Sequence, residues 1–189
     1  MGRWQPDAAG RLAQAALELF AERGFEQTTV SDIASRAGLT ERTFFRHFAD
    51  KREVLFSGQS ALKDALVSAI ASAPDSAAPI AAVATALESV AAFFEENRDR
   101  ARNRQAIISA NPELRERDLI KLASLATSMA DALRERGVPE PAASLAAEAG
   151  MAVFRIAFDR WVTDDGRPDL PGIIRESLGQ MHAVTATAG

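Results

Sequence analysis

Apolar side chains recur along this chain at intervals of three and four residues, the spacing of one face of a helix. Leu12, Ala15, Ala16, Leu19 and Phe20 form the first such stripe. Gly24 stands where a left-handed glycine closes a helix, and Phe25 follows as an apolar residue able to pack back. The run Thr29-Val30-Ser31-Asp32 has the form of a capping box, with Thr29 as N-cap and Asp32 at the third helical position. It opens a short helix with Ile33, Ala34 and Ala37 on its inner face, and Gly38 ends it. Only Gly38 and Leu39 separate that helix from Thr40, the next N-cap, so the pattern predicts a helix-turn-helix. The third helix, over residues 41–48, sets Phe44 and Phe48 on an inward face, with Arg42 and Arg46 roughly opposite.

A second capping box, Asp50 to Glu53, predicts a fourth α-helix carrying Val54, Leu55, Leu62, Leu66 and Ile70. It fades into the Ala/Ser/Pro-rich residues 72–79. Ile80, Val83, Leu87, Val90 and Phe94 continue at helical spacing, and a charged section over residues 95–104 leads to Ile107 and Ile108. Asn111-Pro112-Glu113 reads as an N-cap followed by proline at the first helical position, and Gly137 ends that helix. Another helix runs from Pro139-Glu140-Pro141 to about Val162. A polar loop over residues 164–171 precedes the last helix, which carries Ile174, Leu178 and Met181. No segment alternates with a period of two and no internal repeat is visible. The expectation is an all-α protein of about nine helices, with its C-terminal tail from Ala183 onward frayed.

Composition sharpens this picture. The 189 residues include 39 alanines and only 11 glycines and 8 prolines, a strong helical bias. Cysteine is absent, which removes disulfides, a thiol nucleophile and thiolate-bound zinc, and His47 and His182 are too few for a histidine-rich metal centre. No cofactor or metal is expected. Uncharged stretches such as residues 76–87 are too short to span a bilayer, which takes roughly 20 residues. The start of the chain lacks the apolar core of a signal peptide. A soluble, cytoplasmic protein without membrane contact is expected. Net charge is −4, which at face value disfavours a nucleic-acid binder. Residues 1–56 are neutral, however, with eight basic and eight acidic side chains, and Arg42, Arg46, His47, Lys51 and Arg52 crowd into one local patch. Local charge governs phosphate attraction more than the pI of the chain does.

The run Leu19-Phe20-Ala21-Glu22-Arg23-Gly24-Phe25, then Thr28-Thr29-Val30, Ile33-Ala34, Ala37-Gly38-Leu39-Thr40, Thr43-Phe44-Phe45, His47-Phe48, Lys51 and Leu55, resembles the DNA-binding domain of TetR-type transcriptional regulators. The likeness covers about residues 8–56. It implies a three-helix reading domain over residues 1–56 and a helical ligand-binding and dimerisation domain over residues 57–189. It also implies a homodimer on a double-stranded DNA operator. A recognition helix presents its first residues to base edges in the major groove, here Glu41, Arg42, Thr43 and Phe45 behind Thr40. Arg42 can fork onto guanine or touch phosphate. Phe45 stands where the family usually has tyrosine, so it can meet a thymine methyl but offers no hydroxyl to phosphate. His47 and Lys51 match backbone-holding positions, with Arg46 beside them. Thr29 and Ser31 open the second helix, where hydroxyls and free amides meet phosphate. Lys51, expected at the first position of the fourth helix, lies at the positive end of the dipole, mildly unfavourable until a phosphate approaches. Arg3 and Arg11 are further candidates for backbone contact.

The C-terminal two-thirds is apolar over wide arcs. Over residues 140–162, Leu145, Ala149, Ala152, Val153 and Ile156 lie on one side, and Met151, Phe154, Phe158 and Trp161 on another, with Glu148, Arg155 and Asp159 in a narrow polar stripe. A helix apolar nearly all round is buried on more than one side. The resemblance implies that about residues 141–163 and 169–184 pair with their copies in the dimer. Phe93, Phe94, Met129, Met151, Phe154 and Phe158 can line an apolar effector pocket or simply form core, and Asn103, Arg104 and Gln105 are polar candidates on the same footing. Residues 111–117 and Trp161 look like a subgroup in which some members sense acyl-CoA-type molecules. The expected mechanism is repression at a near-palindromic operator, with recognition helices about 34–36 Å apart, relieved by a small apolar or amphipathic effector. A regulator or helical adaptor without a ligand is the alternative. An enzyme is not expected, since no nucleophile elbow, P-loop, dinucleotide fingerprint or paired-histidine motif occurs.

Overall fold

A computed structural model describes residues 7–164, 166 and 168–186. Arg3 and the last residues of the tail lie outside them. Among the described residues the chain forms nine α-helices and no strand: α1 (Ala8–Arg23), α2 (Val30–Arg36), α3 (Glu41–His47), α4 (Gln59–Ala71), α5 (Pro79–Glu96), α6 (Arg98–Ala110), α7 (Pro112–Glu135), α8 (Ala142–Thr163) and α9 (Leu170–Thr185). No helix among them is long and apolar enough to cross a membrane.

The chain divides into two compact units. The first holds the residues up to Gln59 together with Arg102–Arg117, and the second holds Ser60–Ala101 and the residues from Asp118 onward. The expected boundary after residue 56 therefore omits a segment, because residues 102–117 fold with the first unit. Ile107, Ile108 and Leu114 are buried in a core shared with Leu12, Leu19, Phe20, Ile33, Phe44 and Leu55. Arg104 reinforces the attachment: its Nε donates to the Leu55 carbonyl at 2.6 Å and its guanidinium covers the Phe56 ring. Arg117 Nε donates to Glu53 at 2.6 Å. Arg104 thus serves the first unit, and the neighbouring effector candidates Asn103 and Gln105 fall in that unit too.

The expected fourth helix is two elements. Asp50 does cap a turn, accepting from the backbone N–H of Arg52 (2.8 Å) and Glu53 (3.1 Å). That turn is a four-residue 3-10 segment, Glu53–Phe56, and α4 starts afterwards. The reason is visible in the packing. Val54, Leu55 and Phe56 are three consecutive buried residues, more than one face of an α-helix presents, and the Glu53 side chain turns to Arg117 rather than back to close the box. Asn111 holds the expected N-cap place of α7, its carbonyl accepting from the Arg115 N–H at 3.0 Å with Pro112 next, while its carboxamide donates back to the Ile107 carbonyl at 2.6 Å and so also finishes α6.

In the second unit α5, α8 and α9 pack on one another, with Leu66 and Ile70 of α4 and Leu125, Met129 and Leu133 of α7 completing the core. Gly150 lets α8 approach α5 closely: a Cβ there would stand 2.2 Å from Val83 Cγ1.

Candidate nucleic-acid interface

The helix-turn-helix is built by caps that the sequence carries. Thr29 Oγ1 accepts from the Asp32 N–H at 3.1 Å, and the Asp32 carboxylate accepts from the Thr29 N–H at 2.9 Å, so the reciprocal capping box is formed. The Thr29 hydroxyl, then its backbone N–H, hold the Asp32 carboxyl below its ordinary value. At the far end, the Leu39 N–H reaches the Ala34 carbonyl (2.8 Å) and the Gly38 N–H the Ser35 carbonyl (3.0 Å). This closure needs a left-handed residue, and Gly38 supplies it at φ 64°. Arg11 binds the same turn, its guanidinium donating to the Ala37 carbonyl. Arg11, a candidate for DNA-backbone contact from the sequence, holds the turn here.

Thr40 caps α3, accepting from the Thr43 N–H at 3.2 Å, with the two hydroxyls 3.0 Å apart. Phe44 is fully buried and Phe48 nearly so, their rings 5.5 Å apart. Truncating a buried phenylalanine of this kind costs about 3–5 kcal/mol, so the inner face fixes the roll of the helix. That roll leaves Glu41, Arg42, Phe45, Arg46 and His47 exposed, with Thr43 half-buried. Phe45 is 55% exposed although it touches Phe44 edge-on. Among the described residues neither Arg42 nor Arg46 has a salt-bridge partner. Thr29 and Ser31 are exposed at the start of α2.

Lys51 departs from expectation. Its ammonium donates to the carbonyls of Phe25 (2.8 Å), Thr28 (3.2 Å) and Glu26 (3.3 Å), and it sits 4.4 Å from the centre of the Phe25 ring. An ammonium has three protons, and these carbonyls match all three. Lys51 therefore stitches the loop between α1 and α2 and is not a free phosphate contact. Arg52 is likewise engaged, with Asp50 at 2.8 Å and Glu113 at 3.7 Å. Partial burial opposes ionisation of Asp50, but Arg52 and the N–H groups of Glu53 and Arg52 outweigh it and lower its pKa. Of the five residues in the expected patch, Lys51 and Arg52 are thus engaged within the protein, and Arg42, Arg46 and His47 are exposed. Sequence spacing cannot show the engagement of Lys51, because it depends on carbonyls about 25 residues away.

In the second unit the expected effector residues separate. Met129, Met151, Phe154 and Phe158 are core, and Phe94 is partly exposed with its ring 5.9 Å from Phe154 and 5.3 Å from Phe158. Phe93 is 65% exposed, its ring edge-to-face with that of Phe94 at 5.9 Å. On α8 the charged stripe of Glu148, Arg155 and Asp159 is exposed. Leu145 and Ile156 are 66% and 59% exposed. Ala149 and Ala152 lie between them at helical spacing, Ala149 partly exposed and Ala152 exposed, while Val153 of the same expected stripe is buried.

Comparison with known proteins places this geometry. Residues 12–57 match the family described as bacterial regulatory proteins, tetR family, and residues 77–186 match the MftR C-terminal domain. TcmR of Streptomyces glaucescens, an HTH-type transcriptional regulator, is 41% identical over 80 residues, 42% of this chain and 35% of that protein. MftR of Mycobacterium tuberculosis, named for the regulation of mycofactocin biosynthesis, is 34% identical over 118 residues, 60% of this chain and 58% of its own. The chain thus spans between about a third and three-fifths of the length of these relatives. FadR of Bacillus subtilis, solved with stearoyl-CoA, shares the fold with a TM-score of 0.65 at 21% identity, over 91% of this chain and 96% of that one. SmeT, repressor of a Stenotrophomonas maltophilia efflux pump, does so with a TM-score of 0.63 at 20% identity, over 96% and 92%. With both halves of the chain matched and the helix-turn-helix formed as its caps require, the protein belongs to the TetR family of bacterial regulatory proteins.

Proposed function

We propose that this protein is a ligand-responsive DNA-binding transcriptional regulator, a repressor that holds a near-palindromic operator as a homodimer and releases it when a small apolar or amphipathic effector binds. The observation that carries this reading is the two-sidedness of α3. Its inner face is locked by Phe44 and Phe48, while Arg42, Phe45, Arg46 and His47 stand free on the other. In the major groove Arg42 would fork onto a guanine and Phe45 would meet a thymine methyl. Arg46 and His47 would hold phosphates, and Thr29, Ser31 and Thr40 would face the backbone beside them. The exposed stripe of Leu145, Ala149, Ala152 and Ile156 on α8, with the outer side of α9, would face the partner subunit. The reading assigns the chain no catalytic role, in keeping with the regulators it resembles.

The effector would act by preferring a dimer whose recognition helices miss successive grooves, a coupling of typically 1–3 kcal/mol. An α6 that gives its first residues to the second unit and the rest to the first offers a covalent route for that coupling.

An electrophoretic shift on DNA flanking the protein's own gene tests the reading. Wild type should retain a duplex. Arg42→Ala should weaken binding by about 10–100-fold and relax preference at one base pair, the value of a bidentate guanine contact. Failure of wild type to retain any such duplex would overturn it.

A further inference from the structure

Buried side-chain donors in folded proteins nearly always find acceptors. Among the described residues of the second unit, two do not. The indole Nε1–H of Trp161 is fully buried without a hydrogen-bond partner, and so is the Nε–H of Arg98. They belong to groups in contact: the Arg98 guanidinium carbon lies 4.9 Å from the centre of the Trp161 ring. The rest of that guanidinium is pinned. One terminal nitrogen donates to the carbonyls of Trp161 (2.8 Å) and Asp164 (3.0 Å), and the other to Pro168 (3.2 Å). Arg98 therefore cannot swing to find a partner for Nε. No carboxylate pairs with it among the described residues. Glu95, one turn earlier on the chain, instead accepts from the Leu170 N–H at 2.5 Å. Among the described residues, the result is a fixed, partly buried cation met by neutral carbonyls and a ring face, beside a second donor with no acceptor.

An apolar wall adjoins these donors. Trp161 touches Phe158 at 5.6 Å, Phe158 stacks on Phe154 at 5.6 Å, and the partly exposed Phe94 contacts both phenylalanines. The aromatic row thus leads from the interior at Trp161 toward the exposed end of α5.

We infer that the effector is an apolar molecule bearing a carboxylate, one oxygen accepting from Trp161 Nε1–H and the other from Arg98 Nε–H, with its hydrocarbon body along Phe94, Phe154 and Phe158. This rests on the regulator reading above and adds the charge and the recognising groups. A carboxylate supplies two acceptors and the negative charge that Arg98 lacks, and charge-assisted bonds of this kind are the strong ones. A neutral alcohol brings no negative charge and leaves the cation uncompensated.

The test uses the full chain carrying Trp4→Phe, so that Trp161 is its sole indole. Decanoate is compared with 1-decanol, and 4-phenylbutyrate with 4-phenyl-1-butanol, by Trp161 emission and by melting temperature. At least one acid should bind tenfold or more tighter than its alcohol and shift the emission. Trp161→Phe keeps a ring but removes the donor, and should cut that preference about tenfold or more. Should Trp161→Phe fail to fold, the acid–alcohol comparison in the parent decides. Equal binding of acid and alcohol, a preference that Trp161→Phe leaves intact, or no binding by any of the four would overturn the inference. Retention of operator DNA by the same protein in those cases keeps the regulator reading standing, whereas loss of DNA binding in wild type strikes that reading separately.

Discussion

Lys51 is a residue whose chemistry depends on where folding sends its side chain. As a letter in the family pattern it is a cation beside a phosphate; in the folded chain its three protons meet three carbonyls of the α1–α2 loop. Hydrogen bonds to charged groups contribute roughly 1.5–3 kcal/mol each when desolvated, and less at this half-buried site. Lys51→Met should therefore cost about 1–2 kcal/mol, seen as a melting temperature several degrees lower. Its slope of log affinity for DNA against log salt should match wild type. Arg46→Ala should do the opposite. It should leave melting within about 0.5 kcal/mol of wild type, as surface changes do, and flatten the salt slope by roughly 0.9 for each phosphate no longer neutralised, twice over in a dimer. A flattened slope in Lys51→Met would return that residue to the interface.

At the scale of elements, helix ends and close approaches carry the testable physics. Asp50 has a folded pKa below the ordinary 3.8, because the hydrogen bonds from Arg52 and Glu53 outweigh its partial burial. A depressed carboxyl pKa stabilises the fold above the unfolded value, and this contribution is lost as pH falls through the folded one. The stability gap between wild type and Asp50→Asn should thus be largest at neutral pH and close progressively below about pH 3.8 in denaturant titrations. Gly150 tests helix packing. Alanine gains up to about 1 kcal/mol of helix propensity over glycine. Its Cβ, however, would meet the fully buried, β-branched Val83 at 2.2 Å, and overpacking costs about 1–3 kcal/mol. The clash wins, so Gly150→Ala should melt lower than wild type; a higher melting point would mean that α5 and α8 have room to part. The caps at Thr29 and Thr40 and the Gly38 turn were legible in the sequence because each acts within a few residues. The break between the 3-10 turn and α4 was not, because Val54, Leu55 and Phe56 are recruited together by a core that includes Ile107, Ile108 and Leu114.

For the whole molecule, the prediction concerns assembly. Leu145 and Ile156 are large apolar side chains standing more than half exposed on one stripe of α8. Leu145→Glu with Ile156→Glu should leave the helical circular dichroism spectrum intact while converting the proposed dimer to monomer in sedimentation velocity. Operator binding should then collapse, since a single recognition helix gives up the second half-site. A double variant that still sediments as a dimer would move the interface elsewhere.

Helix periodicity, capping residues and the register of about residues 8–56 were enough by themselves to specify an all-helical chain, its helix-turn-helix and its family, because these signals are local and repeat every turn. Distant partners were decided only in three dimensions. Residues 102–117 join the first unit, Lys51 and Arg11 bind loop carbonyls rather than facing outward, and Trp161 and Arg98 meet with two donors left over. Each outcome depends on which backbone groups folding leaves unsatisfied and which side chain is long enough to reach them, and no spacing along the chain encodes that.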